Sequence, residues 1–582
     1  MAYHSIYPRY RLIVALGLLC APVQSEASSY PLQPDALHLG QQVSSFSPPD
    51  DDQQRIHQQA QQRALEQRLA PEQQTVHLKL PTSQPLPTGF PQETPCFPVD
   101  QVTLKGIEAL PSWLTLQPLA NTAVGHCLGG EGINLLMRRL QNRLMQHGYV
   151  TTRVLAPEQD LTERHLQLMI VAGKLGLLTR TTQSAQGVSL SSAFPLHAGS
   201  LLDLRALEQG LENLQRLPTV QANMEIVPTE RPGQSDVIVT WQQSRKWRFG
   251  LSLDDSGTRS TGRYQGGTTL YLDNPLTLSD SLYLYAGRSL LPGAGKGTHN
   301  YTGQYSLPYG YWLVSVTGSY NDYTQTIAGL NADYRYRGQS QQVALQLGRV
   351  IHRGADHKTR LTAEIALREA KNFIDDTTID AQHRKTTSWK ATLQHQQFIH
   401  RAILNLGISY QQGTRWFGAL AASEEAFDDG TALSRIVQLT ADLTVPFTLA
   451  NQPFRYQLLY QQQFTATKLT PSEQFSLGSR WTVRGFNGER SLSADRGLLV
   501  RNEWSWTTPL SGQQLYLGVD YGTLSGRRTS PQLGRSLAGG VVGVRGQLWS
   551  TGYDTFIGTP LLAPKGFMPD RFTLGFTVNW HY

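Results

Sequence analysis

The sequence predicts a membrane β-barrel of 16 strands that follows two small α/β units. Three observations lead there. From Arg245 to Tyr582, segments of about ten residues alternate apolar and polar side chains between turn residues, the pattern of strands with one face in lipid and one in an aqueous lumen. The chain opens with an export signal, and no later run of 18 apolar residues would make a second spanning helix. The last strand alternates most cleanly, with Phe572, Leu574, Phe576, Val578, Trp580 and Tyr582 on one face and Arg571, Thr573, Gly575, Thr577, Asn579 and His581 on the other.

Composition agrees. Of 582 residues only 16% are charged, and 52 Gly, 24 Tyr and 11 Trp favour strands and turns. A hydrophobic content of 39% excludes full disorder. The net charge of +7 is spread along the chain and makes no clustered basic patch, so nucleic acid is not an expected partner.

Residues 1–27 form the signal. Arg9 and Arg11 precede an apolar run from Leu12 to Ala21, and small residues follow at Ser25 and Ala27. Its removal leaves two cysteines, Cys96 and Cys127, and an even pair in an exported chain predicts a disulfide. Residues 28–49 are rich in Ser, Pro and Gln and read as unstructured. Asp50–Leu69 reads as a helix opened by Asp50, Asp51 and Asp52. Its apolar residues are Ile56, Ala60, Ala64, Leu65 and Leu69, among seven Gln. So polar a helix suits no hydrophobic core. It fits a solvated linker or a water-filled channel, and the residues alone favour the linker. Residues 70–95 are a Pro-rich linker.

Residues 96–172 read as the first α/β unit. Val99–Leu104, Tyr149–Leu155 and Leu166–Val171 are its strands, and Ile133, Leu136, Leu140 and Leu144 mark a helix that Gly148 ends. Residues 173–243 form the second. Its helix carries Leu204, Leu207, Leu211 and Leu214, and its strands are Val220–Val227 and Ser235–Thr240. The barrel occupies 244–582, about 21 residues per strand and connection. Short turns at Asp273-Asn274-Pro275 and Leu307-Pro308-Tyr309-Gly310 suit the periplasmic end, and long polar stretches such as 465–496 suit the outer one.

Within that long stretch lies Val483-Arg484-Gly485-Phe486, an arginine between apolar residues and glycine. Near the end of a later strand, Leu515, Leu517, Val519 and Tyr521 share the lipid face, so Asp520 points into the lumen. An inward-folded loop would bring Arg484 to Asp520. Residues 293–298, Gly-Ala-Gly-Lys-Gly-Thr, lack the spacing and the Ser/Thr of a phosphate loop and read as an outer loop. No Gly-x-Ser-x-Gly or His-Glu-x-x-His occurs.

These fragments, with Gly125-His126-Cys127, Gly148-Tyr149-Val150-Thr151-Thr152-Arg153, Gln159-Asp160-Leu161, Asp203-Leu204-Arg205, Leu207-Glu208-Gln209-Gly210, Arg216-Leu217-Pro218, Asp495-Arg496-Gly497 and Val519-Asp520-Tyr521-Gly522, resemble one family in this order. It is the two-partner secretion transporters (TpsB), outer-membrane exporters of filamentous haemagglutinins and haemolysins. The resemblance implies a plug helix at 50–69, two periplasmic POTRA domains at 96–172 and 173–243, and a 16-stranded barrel in the outer membrane of a Gram-negative bacterium. It implies that Arg484 of the inward loop pairs with Asp520. It makes the terminal strand an assembly signal, with Tyr582 where a Phe is usual. Implied partners are a secreted exoprotein of TpsA type, outer-membrane lipid and the barrel assembly machinery. No catalysis, cofactor, metal or nucleic acid is implied. A BamA-like insertase is the nearest rival, though such proteins usually carry more POTRA domains. A porin would lack the two periplasmic units.

Overall fold

A computed structural model describes residues 51–69, 75–78, 86–182, 187–328, 332–528 and 534–582. The export signal, the 28–49 segment and Asp50 lie outside them, as do the side chains of Asp51 and Asp52.

The first α/β unit has a three-stranded sheet in which the central His165–Val171 runs parallel to Gln101–Lys105 and antiparallel to Arg153–Leu155. The helix Gly130–Gln146 buries Leu136, Leu140 and Leu144 against Leu166 and Leu168. That burial supplies most of the helix's stability, because helices of this length are marginal in isolation. Glu93 in the linker caps it from a distance, accepting from the amides of Gly129, Glu131 and Gly132 at 3.1, 2.8 and 2.6 Å. A carboxylate is well placed there, since these amides have no helical partner. The strand expected over Tyr149–Leu155 is confined to Arg153–Leu155. The Tyr149 amide instead bonds the Leu144 carbonyl at 3.0 Å, so this backbone closes the helix rather than pairing in the sheet.

The second unit repeats the plan, with Gln234–Gln243 central, Lys174–Arg180 parallel to it and Val220–Pro228 antiparallel. Its helix Leu204–Gln215 starts at Asp203, whose carboxylate accepts from the Arg205 amide at 2.8 Å. Leu207, Leu211 and Leu214 pack under Val237, Val239 and Trp241. The opposite, charged face of this helix is buried as well, because the barrel covers it.

The remaining chain closes into a barrel of sixteen antiparallel strands, with the short strands Thr377–Thr378 and Phe475–Leu477 as side pairings in its loops. The first strand, Trp247–Asp254, pairs with the last, Thr573–His581, in a register that sets Trp580 opposite Leu251. Closure leaves no free edge, which a lipid environment requires. In the strand Gln513–Arg528 the period of two is explicit: Leu515, Leu517, Val519 and Tyr521 are exposed on the outside, while Tyr516 and Asp520 are buried inside. Short turns at one mouth, including Asn274 and Gly310, touch the second α/β unit, and the connection between Gln452–Thr465 and Leu492–Thr507 lies at the other.

Candidate functional site in the barrel lumen

The helix Asp51–Leu69 occupies the lumen. The Gln54 amide donates to the hydroxyls of Thr258 and Ser260 at 2.7 and 2.9 Å, and Gln62 donates to Thr302 at 3.0 Å. His57 Nε2 meets the Ser256 carbonyl at 2.9 Å, and its ring packs 5.2 Å from that of Trp481. Leu65 and Leu69 nest on Tyr271, Tyr283 and Tyr285 of the wall. Its glutamines thus find hydroxyl and carbonyl partners that a hydrophobic core lacks. Such contacts hold the helix without the large apolar interface of a permanent core element.

The connection after Thr465 folds back into the barrel, and its tip carries Val483, Arg484, Gly485 and Phe486, all buried. Val483 and Phe486 join an apolar cluster with Leu477, Leu499, Leu524 and Leu537, and the Phe486 ring meets Phe567 edge-on at 5.7 Å. Gly485 has φ +104°, and a Cβ there would lie 2.5 Å from the Thr559 carbonyl oxygen. Both backbone conformation and space therefore demand glycine.

Arg484 reaches the wall at Asp520. Its Nε donates to Asp520 Oδ2 at 2.8 Å and its Nη2 to Oδ1 at 2.9 Å, a bidentate pair. The Arg484 amide also donates to Oδ2, at 2.9 Å. Asp520 is fully buried. Arg484 Nη1 pairs with Glu503, which in turn pairs with Arg545 at 2.8 Å, and Arg501 stands 3.8 Å from Asp520. The result is an alternating chain of cations and carboxylates inside a membrane protein, where an unpaired charge would be costly. Glu503, Arg501 and Arg545 were not singled out from the sequence. Arg501, Glu503 and Ser505 alternate with Val500, Trp504 and Trp506, apart from Asn502, so the period of two carried a signal for the first two.

A second charged cluster joins the second α/β unit to the barrel mouth. Arg353 Nη1 donates to Glu212 Oε2 at 2.8 Å and to Gln209 Oε1 at 3.0 Å, and Lys358 Nζ donates to Glu212 Oε1 at 2.8 Å. Burial pushes the Glu212 carboxyl up, but Lys358 and Arg353 outweigh it and hold it below the usual carboxylate range. Linker residues thread through the same cluster: the Leu78 amide donates to Glu208 Oε1 at 2.8 Å, and Lys358 reaches the Thr75 hydroxyl at 3.3 Å.

The other sequence-selected residues lie apart from the lumen. Cys96 and Cys127 are disulfide-bonded in the first α/β unit, 5.3 Å apart at Cα. Phe572, Leu574 and Tyr582 are exposed on the barrel exterior, and Phe576, Val578 and Trp580 are partly covered. The Tyr582 amide donates to the Phe249 carbonyl at 2.9 Å, across the closing seam.

A family model described as haemolysin secretion/activation protein ShlB/FhaC/HecB matches residues 233–546. A ShlB-type POTRA model matches 97–173 and a second POTRA model matches 178–228. The chain is 33% identical over 543 residues to outer membrane transporter CdiB-2 of Burkholderia pseudomallei, covering 90% of this chain and 93% of that protein. It is 27% identical over 445 residues to hemolysin transporter protein HpmB of Proteus mirabilis, covering 75% and 77%. The solved structure of CdiB from Escherichia coli matches with a TM-score of 0.82 and 29% identity, over 91% of this chain and 98% of that one. Identity above 30% sustained along 90% of the chain settles the assignment: it belongs to the ShlB/FhaC/HecB family, the outer-membrane transporters of two-partner secretion.

Proposed function

We propose that this transporter takes one dedicated, unfolded exoprotein from the periplasm and threads it outward through the lumen now held by the helix Asp51–Leu69. The observation that carries this reading is that helix. It lies across the aqueous path on glutamine–hydroxyl hydrogen bonds and a few apolar contacts, a set that water can replace. Its departure opens a channel, and a 16-stranded barrel is wide enough for one.

The POTRA sheets supply the grip. Arg153–Leu155 and Gln101–Lys105 are edges of the first sheet, and Val220–Pro228 is an edge of the second. An extended client adds to such an edge through main-chain hydrogen bonds, and side-chain grooves give selectivity. Arg484 and Asp520 fix the loop tip against the wall so that the open lumen keeps its shape. The terminal strand through Tyr582 is read by the barrel assembly machinery, and the exposed belt above it faces outer-membrane lipid. The Cys96–Cys127 disulfide holds the first POTRA domain for its work in the oxidising periplasm.

The secreted proteins of cells with and without this chain test the reading. Loss of one very large polypeptide from medium and surface, restored by complementation, is the expected result. A joint fall of several barrel proteins in the outer membrane, with no single secreted protein lost, would point to insertase activity and overturn it.

A further inference from the structure

The lipid-facing wall holds a groove of about 770 Å³ between the second barrel strand, Tyr264–Asp273, and the eighth, Arg384–Ile399. Its floor is Leu270, Leu284, Val343 and Leu367, with Gly303 and Gly318 between them. A Cβ added to Gly318 would meet nothing within 4 Å, so the space over it is open.

One edge of the groove is a polar row. Tyr301, Tyr320, Gln341, Glu369 and Lys385 are register partners on five consecutive strands. Glu369 accepts from Gln341 Nε2 at 2.8 Å, pairs with Lys371 Nζ at 2.9 Å and meets His383 Nε2 at 3.0 Å. The Lys385 ammonium makes no ion pair among the described residues. An ammonium has three donors, and Glu369 takes one from Lys371.

The depth of this row is informative. Trp312 begins its strand at the periplasmic mouth, and Tyr320 lies eight residues further along it. At about 3.3 Å per residue and a tilt of about 40°, the row stands roughly 20 Å above the Trp312 level. The apolar band of such barrels is about 25 Å tall. The row therefore stands in the outer part of that band with apolar wall below it, and Lys371, two residues nearer the outer end than Glu369, stands at about the band's outer limit.

We propose that this groove binds a phosphorylated, multiply acylated glycolipid of the outer leaflet. One acyl chain lies over Leu284, Gly303, Gly318 and Val343, and a phosphate meets Lys385 and the free donors of Lys371. Glu369 positions the Lys371 ammonium, and Asp322, which shares the Lys371 row through Gln339, is paired with Arg337 at 2.8 Å. The proposal rests on the outer-membrane placement of the barrel and is independent of which client is exported.

The test uses the full-length protein in mild detergent, offered phosphorylated lipid A, its dephosphorylated form or phosphatidylglycerol, with retained lipid counted by native mass spectrometry. Wild type is expected to retain phosphorylated lipid A in preference to the other two. The double variant Lys371→Glu/Lys385→Glu removes the phosphate contacts, and Gly318→Leu fills the groove. Each is expected to retain about tenfold less. Heat-modifiable migration on gels verifies that each barrel is folded, and should Gly318→Leu fail to fold, the lysine variant decides. Undiminished retention by the lysine variant, or phosphatidylglycerol held as tightly as lipid A by wild type, would overturn the proposal.

Discussion

A Cβ on Gly539 would lie 1.8 Å from the carbonyl oxygen of Arg484. The loop tip and the barrel wall therefore touch backbone to backbone, and the wall is thinned where the tip lands. Gly518 does the same under the guanidinium: a Cβ there would stand 2.4 Å from Arg484 Nη2. The Arg484–Asp520 pair is thus the charged centre of a fitted contact whose other half is the absence of side chains.

Gly539→Ala is accordingly expected to unseat the tip although it changes no charge. Neither partner is a flexible side chain that can move aside, so the tip must lift. Secretion of the client should fall at least about tenfold, while heat-modifiable migration shows the barrel still inserted. Unchanged secretion would mean that the seated tip is dispensable.

Asp520→Ala strands Arg484 and Arg501 without their shared carboxylate. Removing one member of a buried pair costs about 3–5 kcal/mol. Arg484→Ala should cost a similar amount, and the double variant much less than the sum, because the second removal relieves the charge left by the first. Arg484→Lys should not restore function, since an ammonium cannot make the two parallel bonds to Asp520. Chemical unfolding of the four proteins measures the coupling, and additive losses would contradict it.

The POTRA–barrel junction should loosen in acid. The Glu212 carboxyl is held below its ordinary range, so the junction is fully stabilised above the unfolded value of about 4.3. That stability is lost as pH falls through the lower, folded value. Spin labels on exposed Gln221 and Arg401 should report one narrow distance at neutral pH and a broadened one in this acidic window. Glu212→Gln should show the broad distribution already at neutral pH. A distribution that ignores both changes would show that Glu212 does not hold the junction.

Replacing Cys96 and Cys127 together by serine should destabilise the first POTRA domain. The bridge spans 31 residues, and closing a loop of that size stabilises by about 3–4 kcal/mol in the chain-entropy model. Limited proteolysis of the full-length protein should then cleave first between residues 97 and 173, with the barrel fragment intact.

Much of this molecule is written locally. The period of two in the strands, the period of 3.6 in the two POTRA helices and the even cysteine pair each follow from neighbours along the chain, so the architecture was legible. The alternation also gave Asp520 its side of the wall. The helix Asp51–Leu69 was legible as a helix but not in its location, because a glutamine-rich surface satisfies water and a hydroxyl-lined lumen equally. Of Tyr149–Leu155 only Arg153–Leu155 joins the sheet, because the Tyr149 amide bonds the Leu144 carbonyl of the helix before it. What the tertiary structure alone decided is which charges meet. Arg353 meets Glu208 and Glu212 across two domains, as Lys358 meets Glu212, and nothing periodic links them. The small residues at Gly518 and Gly539 read as ordinary strand glycines until the loop tip lies against them. Sequence fixes faces through short-range stereochemistry, whereas long-range pairs depend on barrel closure, and closure brings together residues that no local pattern connects.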